Sequence, residues 1–217
     1  MAVLNGSNFS FYSGELDWSV VLQKTPRYYN SQKPTNSDYA LYAWCRVHSG
    51  YNTPLRVFQA RKNMAHYLDN TGTPLIYSSE YVDSFFTISN YAEFENAIAK
   101  YVLSIDFTQN SQVTFSTQGK WEDADAIGGN PGILHYLATG GFRYAFSGIA
   151  EQKSNFIYVK YYIYFHDYYQ YNDINAWAGL GLVDNDWRRL AVVGLAQPYN
   201  IIGRSTLKSF KITVVKE

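Results

Sequence analysis

The residues best suited to chemistry follow a strand-like segment in the second half of the chain. From Ile157 to Phe165, every second side chain is apolar or aromatic, which is typical of a β-strand with one buried face. Asp167 and Tyr169 continue this parity beyond the apolar run. A carboxylate at the rim of a core is partly buried, and burial raises its pKa and favours proton transfer near neutral pH. We therefore predict a candidate site at Asp167; the alternative is a surface strand that ends in a polar turn.

The histidines offer one further candidate, His166, which precedes Asp167. Neighbouring side chains on a strand point to opposite faces, so His166 and Asp167 are expected to pair only if the strand has already ended. The other three histidines are scattered along the chain and lack the spacing of a zinc motif. Metal binding through histidine is therefore not predicted.

Three arginines lie near the C-terminal strands. Arg188, Arg189 and Arg204 could bind a phosphate through paired hydrogen bonds, because the guanidinium group presents its donors in a fixed fork. They could equally be ordinary surface charges.

The overall composition excludes some classes of function. The 217 residues contain 18 basic and 18 acidic side chains without a cationic cluster, which argues against nucleic acid as a partner. No run of about 18 apolar residues is present, so we expect no transmembrane helix. The start of the sequence lacks a basic region followed by an apolar one, so we expect no Sec signal peptide. The single cysteine, Cys45, is predicted to be a buried, unreactive thiol.

The elements that must position these residues are helices followed by strands, an α+β order. Apolar spacing predicts one helix from Thr53 to Leu68 and another from Asn90, with Glu93 completing a capping box. Short connections favour an antiparallel sheet. We predict an N-terminal region of β-strands and loops without a helix at 1–53, and the α+β domain at 54–217. Strands are predicted at 142–147, 156–165, 176–183, 190–195 and 207–215, and a loop at 119–132.

Several short segments occur in an order that resembles a known family. They are Met64 to Gly72, Ala138-Thr139-Gly140, Asp167 to Asn172, and a final strand that leads into Lys208 to Lys216. Over roughly residues 60 to 217, this order is similar to the activity domain of colicin M-type bacteriocins. The resemblance implies a curved antiparallel sheet, open or half-barrel in form.

The family's activity gives the candidate residues their implied roles. Its members hydrolyse lipid II, the undecaprenyl-pyrophosphate-linked peptidoglycan precursor, on the periplasmic side of the inner membrane, and they need a divalent cation such as Mg²⁺. Their motif reads Asp-x-Tyr-Asp-Phe-Asn, followed shortly by His-Arg. The resemblance implies catalytic roles for Asp167 and Tyr169, with Asp167 also as the metal ligand, and a diverged member would recruit His166 as a further catalytic residue. It implies a substrate-binding role for Asn172 and Tyr171, and a diverged member would recruit Arg188, Arg189 or Arg204 to bind the substrate.

The chain departs from the family motif at three places, one of which is Tyr171 in place of the motif's Phe. Gln170 replaces the second Asp, and Ala176-Trp177 stand where the motif has His-Arg. Three hypotheses are therefore open. The chain is a phosphodiesterase-type hydrolase of lipid II that recruits His166 and an arginine, or it keeps the fold and binds a lipid-linked or carbohydrate ligand without hydrolysis. The third is an unrelated β-rich structural or interaction protein.

The resemblance also implies a biological setting. We expect an antibacterial toxin, a bacteriocin-like effector aimed at the cell envelope, with the lipid-linked precursor and an immunity protein as partners. Such a toxin is made in the cytoplasm without a signal peptide. It leaves by lysis or through an injection machine and acts in the periplasm of the target cell.

Overall fold

The chain combines helices with one large β-sheet, as seen in a computed structural model that describes residues 2–4, 9–19, 21–50, 58–117, 122–126, 138–139, 141–172, 177–179 and 182–214. Within these residues, helices α1 to α5 span Asn36–Gly50, Phe58–Leu68, Ser79–Asp83, Ile88–Leu103 and Asp184–Val192. Strands β1 to β6 span Ala2–Leu4, Tyr12–Ser13, Leu75–Tyr77, Gln112–Ser116, Glu122–Ala126 and Gly141–Lys153. Strands β7 to β11 span Phe156–Tyr169, Trp177–Gly179, Leu182–Val183, Tyr199–Arg204 and Lys208–Thr213.

The centre of the sheet is the hairpin of β6 and β7, its two longest strands. Lys153 pairs with Phe156, so the turn consists of Ser154 and Asn155 alone. Ser154 takes a left-handed conformation with φ of 54°. The hairpin pairing continues to Arg143 opposite His166, at the far end of both strands. Because the turn is so short, it fixes which residues of β6 stand beside the candidate site.

The remaining strands extend this hairpin on both sides. Antiparallel β10 covers the second half of β7, and antiparallel β11 covers the first half. On the other side, β4 and β5 pair with β6, and β2 and β1 follow them outward. Strand β3 is parallel to β10 and makes the sheet mixed. The nine strands that the structure describes in this sheet do not close into a barrel, so the predicted α+β fold with a curved, open sheet is confirmed.

One face of the sheet forms the core. The predicted alternation along β7 is confirmed, because Ile157, Val159, Tyr161, Ile163 and Phe165 are each at most 3% exposed. Helix α4 packs on this face through its own buried side chains, Phe94, Ile98 and Val102. Burying one such side chain contributes roughly 1.5 to 3 kcal/mol. The core therefore holds β7 firmly up to the candidate site.

The prediction that residues 1–53 contain no helix was wrong, because α1 occupies Asn36–Gly50. The local signal is a capping box. The Thr35 hydroxyl accepts a hydrogen bond from the Asp38 N–H at 3.3 Å, and the Asp38 carboxylate accepts one from the Thr35 N–H at 2.8 Å. Cys45 of α1 is buried in the main core, and burial raises the pKa of its thiol to about 12, as expected for an unreactive cysteine.

The N-terminal strands also join the main sheet, where Phe11 belongs to the same core cluster as Cys45. The predicted boundary between residues 53 and 54 lies outside the described residues, as does the predicted N-cap at Thr53. The helix predicted to begin at Asn90 corresponds to α4, and its predicted start was slightly too late in the sequence. It begins at Ile88, and its capping box joins Thr87 to Asn90 instead of Asn90 to Glu93.

Two further predictions of secondary structure were wrong. The segment 190–195 was predicted as a strand, but Leu190 and Ala191 lie in α5 and pack inward together with Trp187. Residues 122–126, predicted as loop, form β5. Of the helices in the described ranges, none has both the length and the apolar character that crossing a bilayer requires.

Candidate functional site

The far end of the β6–β7 hairpin borders a cleft of about 570 Å³. His166 and Asp167, two of the predicted catalytic residues, both line this cleft. Strand β7 continues through both residues to Tyr169, so their side chains lie on opposite faces and do not pair, as the alternation of a strand predicts. Other polar residues of the lining are Lys24, Arg143, Tyr168 and Gln170.

His166 is held in a defined orientation on the outer face. Its Nε2 lies 3.0 Å from Oδ1 of Asn200, on β10. The Asn200 amide is itself fixed, because its Oδ1 accepts from the Gln23 N–H at 2.8 Å and its Nδ2 donates to the Gln23 carbonyl at 2.9 Å. Since Oδ1 is an acceptor, Nε2 of His166 is the donor. In the neutral ring, the lone pair therefore lies on Nδ1.

Burial lowers the pKa of His166, and the hydrogen bond to Asn200 opposes this change. The charge of Arg143, directly opposite on β6, lowers the pKa further. His166 as a whole is only 2% exposed. At neutral pH, His166 is therefore an uncharged imidazole that can accept a proton.

Asp167 has the opposite chemical character. Burial raises the pKa of its carboxyl to about 8, against the effect of a hydrogen bond from the Tyr168 N–H. Its negative charge would also lie close enough to Tyr77, Tyr169 and Tyr199 to raise their pKa values. At neutral pH, Asp167 is therefore a protonated acid that can donate a hydrogen bond or a proton.

Tyr169 and Tyr171 lie in the core behind Asp167 and are at most 9% exposed. Their hydroxyl oxygens are 2.9 Å apart, and burial raises the pKa of both. Tyr169 stacks on Tyr199, and Tyr171 stacks on Trp187, each with ring centroids 5.3 Å apart. These contacts fix the end of β7 against β10 and α5. Asn172, the next predicted residue, is exposed.

The three predicted arginines do not converge on one point. Arg189 pairs with Asp38 and Gln32, and Arg204 lies 4.7 Å above the ring of Tyr162. Arg188 lies 4.5 Å above the ring of Tyr28. The Tyr28 hydroxyl in turn donates to Gln170, which lines the cleft, at 3.4 Å. Arg188 is therefore the only one of the three that these contacts connect to the cleft.

One wall of the cleft comes from an N-terminal segment, the strap, which we define as residues 16–19 and 21–28. The strap passes over the outer face of the central hairpin. Trp18 packs edge-on against Tyr164 with centroids 5.6 Å apart, and Val21 buries Ala145. Further along, the main-chain oxygen of Lys24 accepts a hydrogen bond from Tyr168 at 3.2 Å. The strap thereby brings Lys24 to the cleft.

Lys24, Arg143 and Asn200 were not predicted as site residues. A signal for Arg143 exists in the sequence, because a two-residue turn at Ser154 and Asn155 places it opposite His166. Lys24 and Asn200 reach the site only through tertiary packing of the strap and of β10, for which the sequence carries no local signal.

The residues around Asp167 give limited support to a bound Mg²⁺. Among the residues that the structure describes, no three His, Cys, Asp or Glu side chains form a group that could hold a metal ion. Mg²⁺ often binds through one or two carboxylates together with substrate phosphates, which is compatible with Asp167 once it has lost its proton. The prediction of Mg²⁺ therefore still depends on the resemblance. Ala176, at a motif position, lies outside the described residues.

Comparison with known proteins assigns no family to this chain. A scan against models of protein families matches none of them. A search among curated proteins finds no relative. A function for the cleft therefore depends on its own residues and on the resemblance described above.

Proposed function

We propose that this protein is an antibacterial effector that acts on the cell envelope and binds the diphosphate of a lipid-linked peptidoglycan precursor in the cleft. The observation that carries the proposal is that two cations, Lys24 and Arg143, meet His166 and Asp167 in one cleft. The resemblance to colicin M-type bacteriocins supplies the class of substrate.

The charges of the cleft suit a diphosphate. The Arg143 guanidinium can bind phosphate oxygens through two parallel hydrogen bonds, and Lys24 adds a point charge. Asp167 carries its proton below about pH 8, so it does not repel the anion and can donate to it. At neutral pH, the charged side chains among the residues that line the cleft are therefore those of Lys24 and Arg143.

The two titratable groups also suit hydrolysis. A water oxygen would attack phosphorus and pass its proton to Nδ1 of His166, while the bond from phosphorus to the leaving oxygen breaks. The leaving oxygen would keep the electron pair and take the proton of Asp167. Phosphoryl transfer needs attacking and leaving oxygens roughly in line. Because His166 and Asp167 lie on opposite faces of β7, the proposal requires the phosphate to bind at the end of the strand, where both residues line the cleft.

The resemblance assigns Mg²⁺ to Asp167, which conflicts with its role as an acid. When bound, the ion would neutralise charge on the phosphate oxygens, but its ligand must be deprotonated. Asp167 therefore serves either as a proton donor or as a metal ligand. Removal of divalent cations with a chelator distinguishes these roles, because only the second requires the ion.

Turnover of purified lipid II tests the proposal. Separation of the lipid from its phosphorylated saccharide can be followed by thin-layer chromatography. We expect His166→Asn and Asp167→Asn each to lower turnover by about 100-fold or more. Lys24→Gln should weaken binding of the lipid. Lys153→Gln is the matched control, because it removes a cation at the opposite end of the hairpin and should change neither quantity.

The outcomes separate the open hypotheses. Full turnover by Asp167→Asn would reject the assigned role of Asp167. If the wild type binds lipid II without cleaving it, and Lys24→Gln weakens this binding, the result would support a ligand-binding protein without hydrolysis. A wild-type protein that neither binds nor cleaves the lipid would reject the proposal and favour a structural or interaction role.

A cellular experiment tests the site of action. Expression in a bacterium with an added export signal should be toxic, whereas expression without it should be tolerated. Equal toxicity in both forms, or none in either, would contradict an envelope target.

A further inference from the structure

We infer that the outer face of the sheet carries a second site, an aromatic groove that binds a saccharide. The groove has a volume of about 610 Å³, and its lining includes the aromatic residues Trp18, Tyr162 and Tyr164 and the charged residues Glu15 and Lys160. Three apolar side chains also line it, those of Leu16, Ile149 and Leu207. A smaller depression of about 310 Å³ adjoins it and shares Trp18 and Tyr164 as lining residues. Two adjoining depressions of this kind suit consecutive sugar rings of an oligosaccharide.

The aromatic rings of the groove form a stepped surface. Tyr162 and Tyr164 are two residues apart on β7 and therefore share its outer face, with ring centroids 6.3 Å apart. Trp18 meets Tyr164 nearly at a right angle, at 79°. All three side chains are partly exposed. Polarised C–H bonds of a pyranose ring pack well against the electron-rich face of such rings.

Charged groups accompany these rings. Arg204 lies above Tyr162 at 4.7 Å and hydrogen-bonds to Tyr164, its partner across the strands. Lys160 lies two residues before Tyr162 on the same face, and the charge of Glu15 acts on Tyr164. The groove thus presents the carboxylate of Glu15 and the ammonium group of Lys160, and the guanidinium of Arg204 lines the adjoining depression.

This mixture favours a saccharide over a lipid chain. Sugar hydroxyl groups both donate and accept hydrogen bonds, so they can satisfy Glu15, Lys160 and Arg204 around a ring that packs on the aromatic side chains. An acyl chain would remove the same charges from water without satisfying them, which costs several kcal/mol for each unpaired charge. The groove therefore matches a saccharide of little or no net charge.

The groove is separate from the cleft of the proposed function. Between them, Val21 of the strap and Ala145 of β6 are both completely buried. The inference therefore goes beyond the proposed function and does not require hydrolysis in the cleft.

Calorimetric titration of the full chain with a panel of tetrasaccharides tests the inference. The panel contains the tetramers of N-acetylglucosamine, glucose in α and β linkage, mannose and galactose. We expect at least one to bind with a Kd below 1 mM, and Tyr162→Ala to weaken that binding at least 10-fold. Tyr158→Ala is the matched control, because Tyr158 lies on the same strand and is 42% exposed, but it is not part of the groove lining.

The results of the saccharide titration can be distinguished from those of the lipid II experiments on the cleft. Lys24→Gln should leave saccharide binding unchanged, since it alters only the cleft. Thermal melting establishes that each variant is folded. Arg204→Ala, on another strand, should also weaken binding, and it replaces Tyr162→Ala in the test if that variant does not fold. Failure of the whole panel to bind, or unchanged affinity in the folded groove variants, would overturn the inference.

Discussion

The guanidinium of Arg189 donates two hydrogen bonds of 2.8 Å to the carboxylate of Asp38, and so joins α5 to the first turn of α1. Asp38 is only 6% exposed, and Arg189 holds the pKa of its carboxyl well below the ordinary value. A phosphate at Arg189 would compete with Asp38 for Nε and Nη2 and with Gln32 for Nη1. The role that the contacts of Arg189 support is therefore to position α1, and its part in substrate binding stays a prediction.

Asp38→Asn is expected to lower the free energy of unfolding by about 1 to 3 kcal/mol at pH 7, because the charged pair is lost. The folded pKa of Asp38 is below the unfolded value of about 3.9, so its stabilisation is present above about pH 4 and is lost as the pH falls further. Urea denaturation at pH 7 and pH 3 should therefore show a smaller difference between variant and wild type at pH 3.

The control for this prediction is the pair of Glu151 and Lys153, whose side chains are 38% and 62% exposed. Glu151→Gln should change the free energy of unfolding by less than about 0.5 kcal/mol. Two results would contradict a stabilising Asp38–Arg189 pair. One is an equal loss in the free energy of unfolding for Asp38→Asn and Glu151→Gln, and the other is a loss for Asp38→Asn that is the same at pH 7 and pH 3.

Asp167→Asn is expected to increase stability at alkaline pH. The folded pKa of about 8 is above the unfolded value, so the wild type loses stability as the pH rises from about 4 to 8. The asparagine variant has no such loss. After allowance for partial solvent exposure, we expect it to be roughly 1 to 3 kcal/mol more stable at pH 8 and equal at pH 4. Urea denaturation at both pH values checks this.

Asp167→Asn is thus expected to combine higher stability at pH 8 with loss of lipid II turnover. Substitution of a carboxylate with a purely structural role would not produce both results. A variant that is more stable but inactive indicates a group retained for function. A variant that is less stable than the wild type at pH 8 would contradict the burial of Asp167 as a neutral acid.

Asn200→Asp is expected to raise the pKa of His166. The substitution keeps an oxygen acceptor beside Nε2 and adds a negative charge, which stabilises the imidazolium. NMR titration of the ring C–H signals should show a wild-type midpoint below the ordinary value of about 6.5 and a higher midpoint in the variant. Asn172→Asp adds the same charge at an exposed position and should leave the midpoint unchanged. Equal shifts in both variants would contradict a specific Asn200–His166 contact.

Gly148→Ala is expected to destabilise the central hairpin. A Cβ atom at this position would lie 2.3 Å from the main-chain oxygen of Lys160, which cannot move without distorting β7. We expect a loss of roughly 2 to 4 kcal/mol in the free energy of unfolding. Ser147→Ala, on the opposite face of β6, should cost less than about 1 kcal/mol. Thermal melting of both variants compares them, and similar melting temperatures would contradict the close approach of β6 and β7.

The sequence predicted the parts of the fold that follow from local periodicity. Along β7, the alternation from Ile157 to Phe165 is strict because one face is buried against helices, so the strand and its buried face could be identified correctly. Helix α5 was missed because Leu190, Ala191 and Val193 read as an apolar run of strand length. Only the packing of Trp187 and Leu190 on one helical face shows that this segment is a helix.

The candidate site was predictable to a smaller extent. His166 and Asp167 could be located because they follow a regular strand, and their separation onto two faces follows from the same period. Asn200 lies more than 30 residues further on and orients His166 only because β10 pairs with β7 in one register. Lys24 depends on the path of the strap, which is fixed by contacts of Trp18 and Val21 with the finished sheet.

The two-residue turn between β6 and β7 has a consequence for the order of folding. A hairpin with so short a turn can form within microseconds, whereas β3 and its partner β10 are separated by about 120 residues and pair only after a much longer loop has closed. Asp167 is therefore still hydrated and ionised at pH 7 when the hairpin forms, and it must take up a proton when β10 and β3 dock. Refolding should consume one proton late in the reaction and should become slower as the pH rises toward 8.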